Sequence, residues 1–299
     1  MTFFFWKRAG RSKAVWFSGA VLLAFVLMAA LAPWLAPHDP YRISTADARL
    51  PPMWVQTASA EGVAAYPLGT DQYGRDILSR LLYGTRTALF LAFTAVPLAA
   101  LVGTLVGFLA GYAGGRVEAI ILLLMDVIQS LPGIMFAVII VLILRMQLAP
   151  TWFNGLLTLV VGFAAVGWVS LARLIRVNVL LLKTQPFVEA ARALGASGWH
   201  IFLHHLLPNV LHVIVVWVIN NIPAVILLEA VLGYVGVGVT TAVDGNEFTV
   251  VSWGGMFYSG RIALTRHPLM LVIPSLSLLL ISMSFILLGD FLNSLTRPE

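Results

Sequence analysis

Six long apolar stretches, each about the length of a bilayer crossing, leave this chain few structural options. They run over roughly 14–35, 87–112, 117–144, 152–174, 210–235 and 269–292. A hydrocarbon core about 30 Å thick takes about 20 apolar residues per helical crossing. Inside it, every backbone N–H and C=O must find its partner within the segment. The expected fold class is therefore an all-α membrane protein with six transmembrane helices. A hydrophobic content of 60% with only 10% charged residues, and a mean hydropathy of +0.94, exclude an ordinary soluble domain.

Six crossings put both termini on one side. Lys7, Arg8, Arg11 and Lys13 precede the first apolar run and, by the positive-inside rule, place the N-terminus in the cytoplasm. The other Lys and Arg divide almost evenly between the two sides, so orientation rests on this cluster and on parity. The basic balance is thus topological and implies no nucleic-acid partner. A cleaved signal peptide is the competing reading of the start. The first run is longer than a signal core of roughly 7–15 residues, and Pro33 directly follows the small-residue site. The first run is expected to remain as an anchor.

The chain then divides into a cytoplasmic tail (1–13), a first membrane helix (14–35), an external, periplasmic segment (36–86), a five-helix core (87–292) and a cytoplasmic tail (293–299). Within the core lie an internal turn at 113–116, a short external loop at 145–151, a long internal loop at 175–209 and an external loop at 236–268. The sequence contains no cysteine, which removes disulfides and thiolate chemistry. It also contains no Gly-rich nucleotide loop of the Walker type, so any ATP must be bound by another subunit. No cofactor and no metal is expected on this chain.

Gly103, Gly107 and Gly111 recur every fourth residue. They line one helix face, where a neighbouring backbone can approach closely. Asp126 and Glu229 sit inside apolar runs, where an ionised carboxylate costs at least about 2.5–3.5 kcal/mol and so faces a bundle interior, a partner or water. The functional reading is a proton or cation relay; the bland one is a hydrogen-bonded packing site or a position near the membrane face. No Arg, Lys or His stands at an obviously matching depth to complete a relay. His200 and His204 share a helix face, but two imidazoles without a carboxylate or thiolate make a weak metal site.

Two polar stretches stand out. Between Pro67 and Arg86, Gly69 and Gly74 supply turns, while Ile77, Leu78, Leu81 and Leu82 make one apolar helix face. A short amphipathic helix at the outer interface is predicted, with Asp76 and Arg80 paired one turn apart. Between residues 189 and 209, Glu-Ala-Ala-Arg-Ala-Leu forms a helix, Gly195 terminates it, and a second short helix runs towards Pro208.

The second stretch resembles the cytoplasmic signature of ABC-importer permeases in Glu189, Ala190, Ala191, Gly195, Ile201, His205, Leu207, Pro208 and Asn209. The outer motif, with Gly69, Thr70, Asp71, Gly74, Arg75, Asp76, Ser79 and Arg80, is similar to that of the dipeptide and oligopeptide branch, specifically its second, C-type subunit. Asp126 with Leu131-Pro132, Ser252-Trp253-Gly254 and Leu288-Gly289-Asp290 extend the likeness over nearly all of 14–292. Phe291, Asn293 and Ser294 depart from the Gly, Arg and Asp often found there, and 244–251 reads as an insertion.

The resemblance implies a type I importer fold whose helix at 189–195 is the coupling helix. It also implies a bacterial inner-membrane complex with a homologous second permease, two ATPase subunits carrying ATP and Mg, and an extracytoplasmic substrate-binding protein. That protein is expected to meet segments 36–86 and 240–268. Peptide is the leading cargo; nickel complexes, glycans and peptide-like antibiotics are alternatives. The rival class is an ion-gradient-driven secondary transporter or channel subunit using Asp126 and Glu229. A membrane enzyme finds no support, because neither a His–Glu metal motif nor a nucleophile elbow occurs.

Overall fold

The structure, a computed structural model, describes residues 13–57, 60–147, 154–238, 250–264 and 268–296. Its elements are α1 (Lys13–Leu35), a two-residue antiparallel pair of β1 (Gln56–Thr57) and β2 (Ala60–Glu61), α2 (Ile77–Ala113), α3 (Gly115–Ser130), α4 (Gly133–Gln147), α5 (Asn154–Leu182), α6 (Pro186–Ala193), α7 (Gly198–Ile201), α8 (Leu207–Val235), α9 (Trp253–Ala263) and α10 (Leu269–Thr296). Among the described residues, five helical stretches are long and apolar enough to cross a membrane. The sixth candidate, α3 with α4, is bent by 92°.

Helices α2 and α5 form the most extensive pair in the molecule, because α2 presents bare backbone where α5 lies against it. A Cβ on Gly103 would lie 2.7 Å from the Trp168 carbonyl oxygen, one on Gly107 2.5 Å from that of Ala172, and one on Gly111 2.9 Å from that of Arg176. The glycine face expected from the sequence is thus a tight packing seam. Residue numbers rise together along both helices, so α2 and α5 run parallel. The chain between them must return to the end where α2 began, and α3 with α4 makes that return despite the bend.

The remaining helices follow from this. Gly289 of α10 packs against the Asn220 amide of α8, and Gly233 of α8 against the Gly254 backbone of α9. α1 lies against α2 and α10. The core runs between α2, α5, α8 and α9 through Leu91, Val96, Leu171, Ile175, Ile226, Leu232 and Trp253, all fully buried. Lys13 and Thr296, the first and last described residues, lie at the same end as α6, termed here the loop end. Segment 36–76 and α9 close the opposite, capped end.

Four expectations need correction. The third apolar run is not one straight helix. Pro132 forces Leu131 out of the helical region, to φ −93° and ψ 142°, and removes a backbone donor, so the run breaks there. No separate interfacial helix precedes the second crossing either. Asp76 caps α2 itself by accepting from Leu78 N and Ser79 N, and one helix of 37 residues, about 55 Å long at 1.5 Å per residue, continues to Ala113. No break separates the loop from the fifth crossing. α7 passes through a π-helical turn at Phe202–Leu206 straight into α8, and Pro208, which has no N–H to donate, follows directly on that wider turn, where the hydrogen-bond register already shifts. α5 also extends to Leu182, eight residues beyond the predicted end at 174.

Gly107→Leu is expected to force α2 and α5 apart, at about 1–3 kcal/mol for overpacking, and to lower the unfolding temperature of the detergent-solubilised protein. Gly19, with nothing within 4 Å of a built Cβ, gives the control: Gly19→Leu leaves the unfolding temperature unchanged in the same assay.

Candidate functional site

At the loop end, α6 starts on Pro186 and closes in a Schellman motif. Ala196 N donates to Ala191 O at 3.0 Å and Gly195 N to Arg192 O at 3.0 Å, with Gly195 at φ +84°, a conformation glycine adopts without strain. Ser197 then caps α7 by accepting from His200 N at 3.2 Å. One side of this helix–turn–helix is anchored by Val188, Ile201, Phe202 and Leu206, all buried. The other side presents Glu189, Ala190, Gly195, Pro208 and Asn209 to the exterior, with Ala191 and His205 half-buried.

Ile201, expected among the docking residues, is fully buried and serves as an anchor instead. Two large apolar residues take its place on the surface. Leu194 is 89% exposed and Trp199 56%. Their type is visible in the sequence, but their outward direction is not. His200 and His204 stack at 4.2 Å, and among the described residues no group of three His, Asp or Glu gathers as a metal site. The Asn209 side-chain amide donates to His205 O at 2.6 Å, bracing the π-helical turn.

The loop rests on the end of α2. Phe108 stacks on Tyr112 at 5.2 Å and meets Phe202 at 4.3 Å, and Phe202 meets Trp199 at 5.1 Å. The Arg192 guanidinium lies 5.8 Å from the centre of the Tyr112 ring, and Lys183 Nζ donates to Gly111 O at 2.8 Å. The loop is thus packed onto the end of α2 through these rings, and α2 onto α5 through the glycine seam.

At the capped end, the motif that begins at Gly69 is turned inward. Thr70, Asp71, Arg75, Asp76 and Arg80 are all buried. Asp71 accepts from Tyr73 N at 2.8 Å, Arg75 N at 3.0 Å and Arg75 Nε at 2.7 Å, with Arg80 Nε 3.9 Å away. Arg80 thus faces Asp71 and not Asp76 as predicted, because the Asp76 carboxylate is already used as the helix cap and by the Ser79 hydroxyl. Gly69 and Gly74, at φ +78° and +73°, sit where a Cβ would strike the backbone of Leu50 and Ser44. Outside the membrane helices, the Ser44 and Tyr66 hydroxyls donate to Asp47 at 2.7 and 3.0 Å and hold its carboxyl below the usual range. This contribution is present above the unfolded pKa of about 3.9 and is lost as pH falls through the lower folded value.

Trp253 joins α9 to α2. Its indole fits against Gly84 and donates to Leu81 O at 3.2 Å, while Thr87 Oγ1 donates to Val251 O at 2.6 Å. Glu229 is 2% exposed and both its carboxylate oxygens accept from Gly254 N at 3.1 Å. Its place is a packing site under α9. Residues 239–249, most of the insertion-like 244–251, lie outside the described residues.

Asp126 differs from Glu229. Its side chain is 64% exposed and meets the Arg173 guanidinium, 39% exposed, at 2.5 Å. The cation that the sequence reading did not find is therefore present, on a stretch of α5 that the predicted run nearly ended at. One turn nearer the loop end, both Arg176 Nε and Nη2 donate to Glu118 Oε1.

The comparisons with known proteins agree with this architecture. Residues 103–298 match the family described as binding-protein-dependent transport system inner membrane component, and residues 3–52 match the N-terminal TM domain of oligopeptide transport permease C. Over 295 residues the chain is 32% identical to the dipeptide transport system permease protein of Bacillus subtilis (strain 168), covering 98% of this chain and 84% of the relative. It is 32% identical over 282 residues to a probable D,D-dipeptide transport system permease protein of Escherichia coli (strain K12), covering 94% and 86%. It is 33% identical over 296 residues to the glutathione transport system permease protein of Pectobacterium atrosepticum, covering 99% and 90%. The chain belongs to the family of binding-protein-dependent transport permeases, and is a multi-pass membrane subunit of an ABC importer.

Arg75→Ala is expected to strand the buried Asp71 carboxylate at about 3–5 kcal/mol, opening segment 36–76 to limited proteolysis in detergent. Exposed Arg42 supplies the comparison: Arg42→Ala stays within about 0.5 kcal/mol and leaves the digestion pattern as in the parent.

Proposed function

We propose that this chain is one of two permease subunits of an ATP-driven importer for short peptides in a bacterial cytoplasmic membrane. The observation that carries the reading is the loop end: a rigid helix–turn–helix with an exposed apolar tip, seated on rings that continue into the membrane helices. α6 and α7 would seat in a groove of an ATPase subunit. Leu194 and Trp199 supply buried area there, and Ala190 and Ala191 permit close approach. The chain's own nucleotide motifs being absent, ATP and Mg would be held by two such partner subunits.

In this reading both termini and the loop end face the cytoplasm, as the N-terminal basic cluster indicates. The capped end faces an extracytoplasmic substrate-binding protein. The buried knot of segment 36–76 would provide that protein with a fixed surface, its charged motif acting through rigidity because its side chains are not exposed. A homologous second permease completes the pathway. Closure of the ATPases would move α6 and α7, and the ring stack would carry that movement to α2 and α5, giving alternating access.

Peptide cargo follows from the relatives, whose names specify dipeptides, a D,D-dipeptide, glutathione and oligopeptides. These share a short amide backbone with charged ends. The gradient-driven alternative loses one of its two supports in Glu229, which is held by the Gly254 amide within the fold.

Gly195→Val is expected to abolish peptide uptake and the substrate-stimulated part of ATP hydrolysis in the reconstituted complex, with membrane insertion unchanged. No atom lies within 4 Å of a Cβ built there, so the effect would come from the left-handed backbone. Gly195→Asn, which tolerates that conformation better, is expected to retain a substantial part of both. Normal uptake by Gly195→Val, or uptake that persists without ATP while an ion gradient is clamped, would contradict the reading.

A further inference from the structure

The ion pair between Asp126 and Arg173 sits where an ion pair without a task is disfavoured. Asp126 lies 11 positions after Gly115, the start of α3, and Arg173 lies nine before Leu182, the end of α5. At 1.5 Å per residue these positions lie about 16 and 14 Å along their helices from the loop end, inside the apolar runs 117–144 and 152–174. Charges inside such runs face a protein interior or water. Within this chain the pair is largely exposed, at 64% and 39% of the side chains, so its open side meets either water or a neighbouring subunit.

The contact is also incomplete. A single guanidinium nitrogen of Arg173, Nη2, meets a single carboxylate oxygen of Asp126, Oδ1. Arg173 Nε is buried and has no partner among the described residues. Glu118 and Arg176 offer a contrast: there two nitrogens engage one carboxylate, with side chains only 20% and 24% exposed, as befits a structural clasp. Ser170, one turn from Arg173 on the same face of α5, is exposed and accepts from Trp217 Nε1 at 3.1 Å. It extends the polar patch towards α8. Five residues past Asp126 the wall itself breaks, at the 92° bend between α3 and α4.

Resting on the peptide-permease reading above, we propose that Asp126 and Arg173 form a charge-paired subsite on the translocation face that takes the ammonium and carboxylate of a short peptide in transit. The pair is neutral as a unit when empty. A zwitterion adds one charge of each sign, so a loaded site is balanced as well. The ammonium takes the open side of Asp126 and the carboxylate takes the exposed edge of the guanidinium that Asp126 leaves free. Such charge-assisted bonds orient a substrate without reading its side chains, and they suit a pathway that must pass peptides of varied sequence.

The test uses the whole complex with its binding protein in proteoliposomes. Asp126→Asn and Arg173→Gln are each expected to lower the maximal ATP-dependent uptake of a free dipeptide by about tenfold or more, the scale of one charge-assisted bond lost. The exchanged double variant Asp126→Arg/Arg173→Asp is expected to stay low, because it reverses the polarity presented to the peptide. Since the chain has no cysteine, Asp126→Cys in the same complex is expected to react with a water-soluble thiol reagent and to be protected by saturating dipeptide. Full recovery of uptake in the exchanged variant would make the pair a clasp between helices and overturn the proposal. So would a cysteine that the aqueous reagent never reaches, which would place lipid or the second permease over the pair. If the unaltered complex shows no ATP-dependent dipeptide uptake, the peptide reading fails and the subsite with it; if the unaltered complex and the variants transport alike, the subsite alone fails.

Discussion

The backbone-to-backbone approach of α2 and α5 at Gly103, Gly107 and Gly111 governs where everything else in the bundle can go. At these three positions α2 carries no side chain, so the α5 backbone and the side chains of Leu171, Ile175 and Val179 lie directly against it, and the two helices run parallel. Parallel neighbours need a returning connection, and α3 with α4 supplies it even though Pro132 bends the run. The same seam sets the end of α2 beside the end of α5. Lys183 reaches the Gly111 carbonyl there, and the aromatic platform under α6 and α7 is built on the last turns of α2. Membrane helices gain no hydrophobic driving force from one another within lipid, so contacts of small residues of this kind are what hold them together.

The two ends of the bundle are built on different physics. The capped end is a buried polar knot in which Asp71 and Arg80 satisfy backbone groups of a long irregular segment, Arg75 pairs with Asp71 and Asp76 caps α2. Irregular backbone is costly wherever water is excluded, and buried charges are tolerated only when they are paired and hydrogen-bonded. The loop end has little polar internal structure. It is a short helix closed by Gly195, an exposed apolar tip and rings beneath. One end is thus fixed by many charge-assisted bonds, and the other rests on its support through ring and apolar packing, which suits the fixed surface and the moving coupling proposed above.

Much of this was legible in the sequence, and the failures have physical causes. Apolar length located the membrane helices, because bilayer thickness imposes it, and the four-residue glycine spacing located the seam. Gly195 announced its own left-handed cap. The bend at Pro132 was hidden because the apolar run continues through it, and hydropathy does not register a missing backbone donor. The inward direction of Asp71 and Arg80 was not legible, since charged residues outside a membrane run are usually solvated. The partnership of Asp126 with Arg173 depends on the packing of α3 against α5 across 47 residues of chain, which no local pattern encodes. The exposure of Leu194 follows from the same kind of tertiary fact: Val188 and Ile201 fix which side of the loop is buried.

The central claim, that the tip formed by Leu194 and Trp199 seats on an ATPase subunit, is most directly tested by single-site crosslinking. The cysteine-free chain makes Leu194→Cys the sole reactive position it carries. In native membranes a short bifunctional thiol-to-amine reagent should join it to a nucleotide-binding subunit, with a yield that changes when ATP is trapped on that subunit, and an impermeant thiol reagent added from outside sealed cells should not label it. Labelling from outside, or the absence of any such adduct in membranes where the complex is shown to be assembled, would contradict the account.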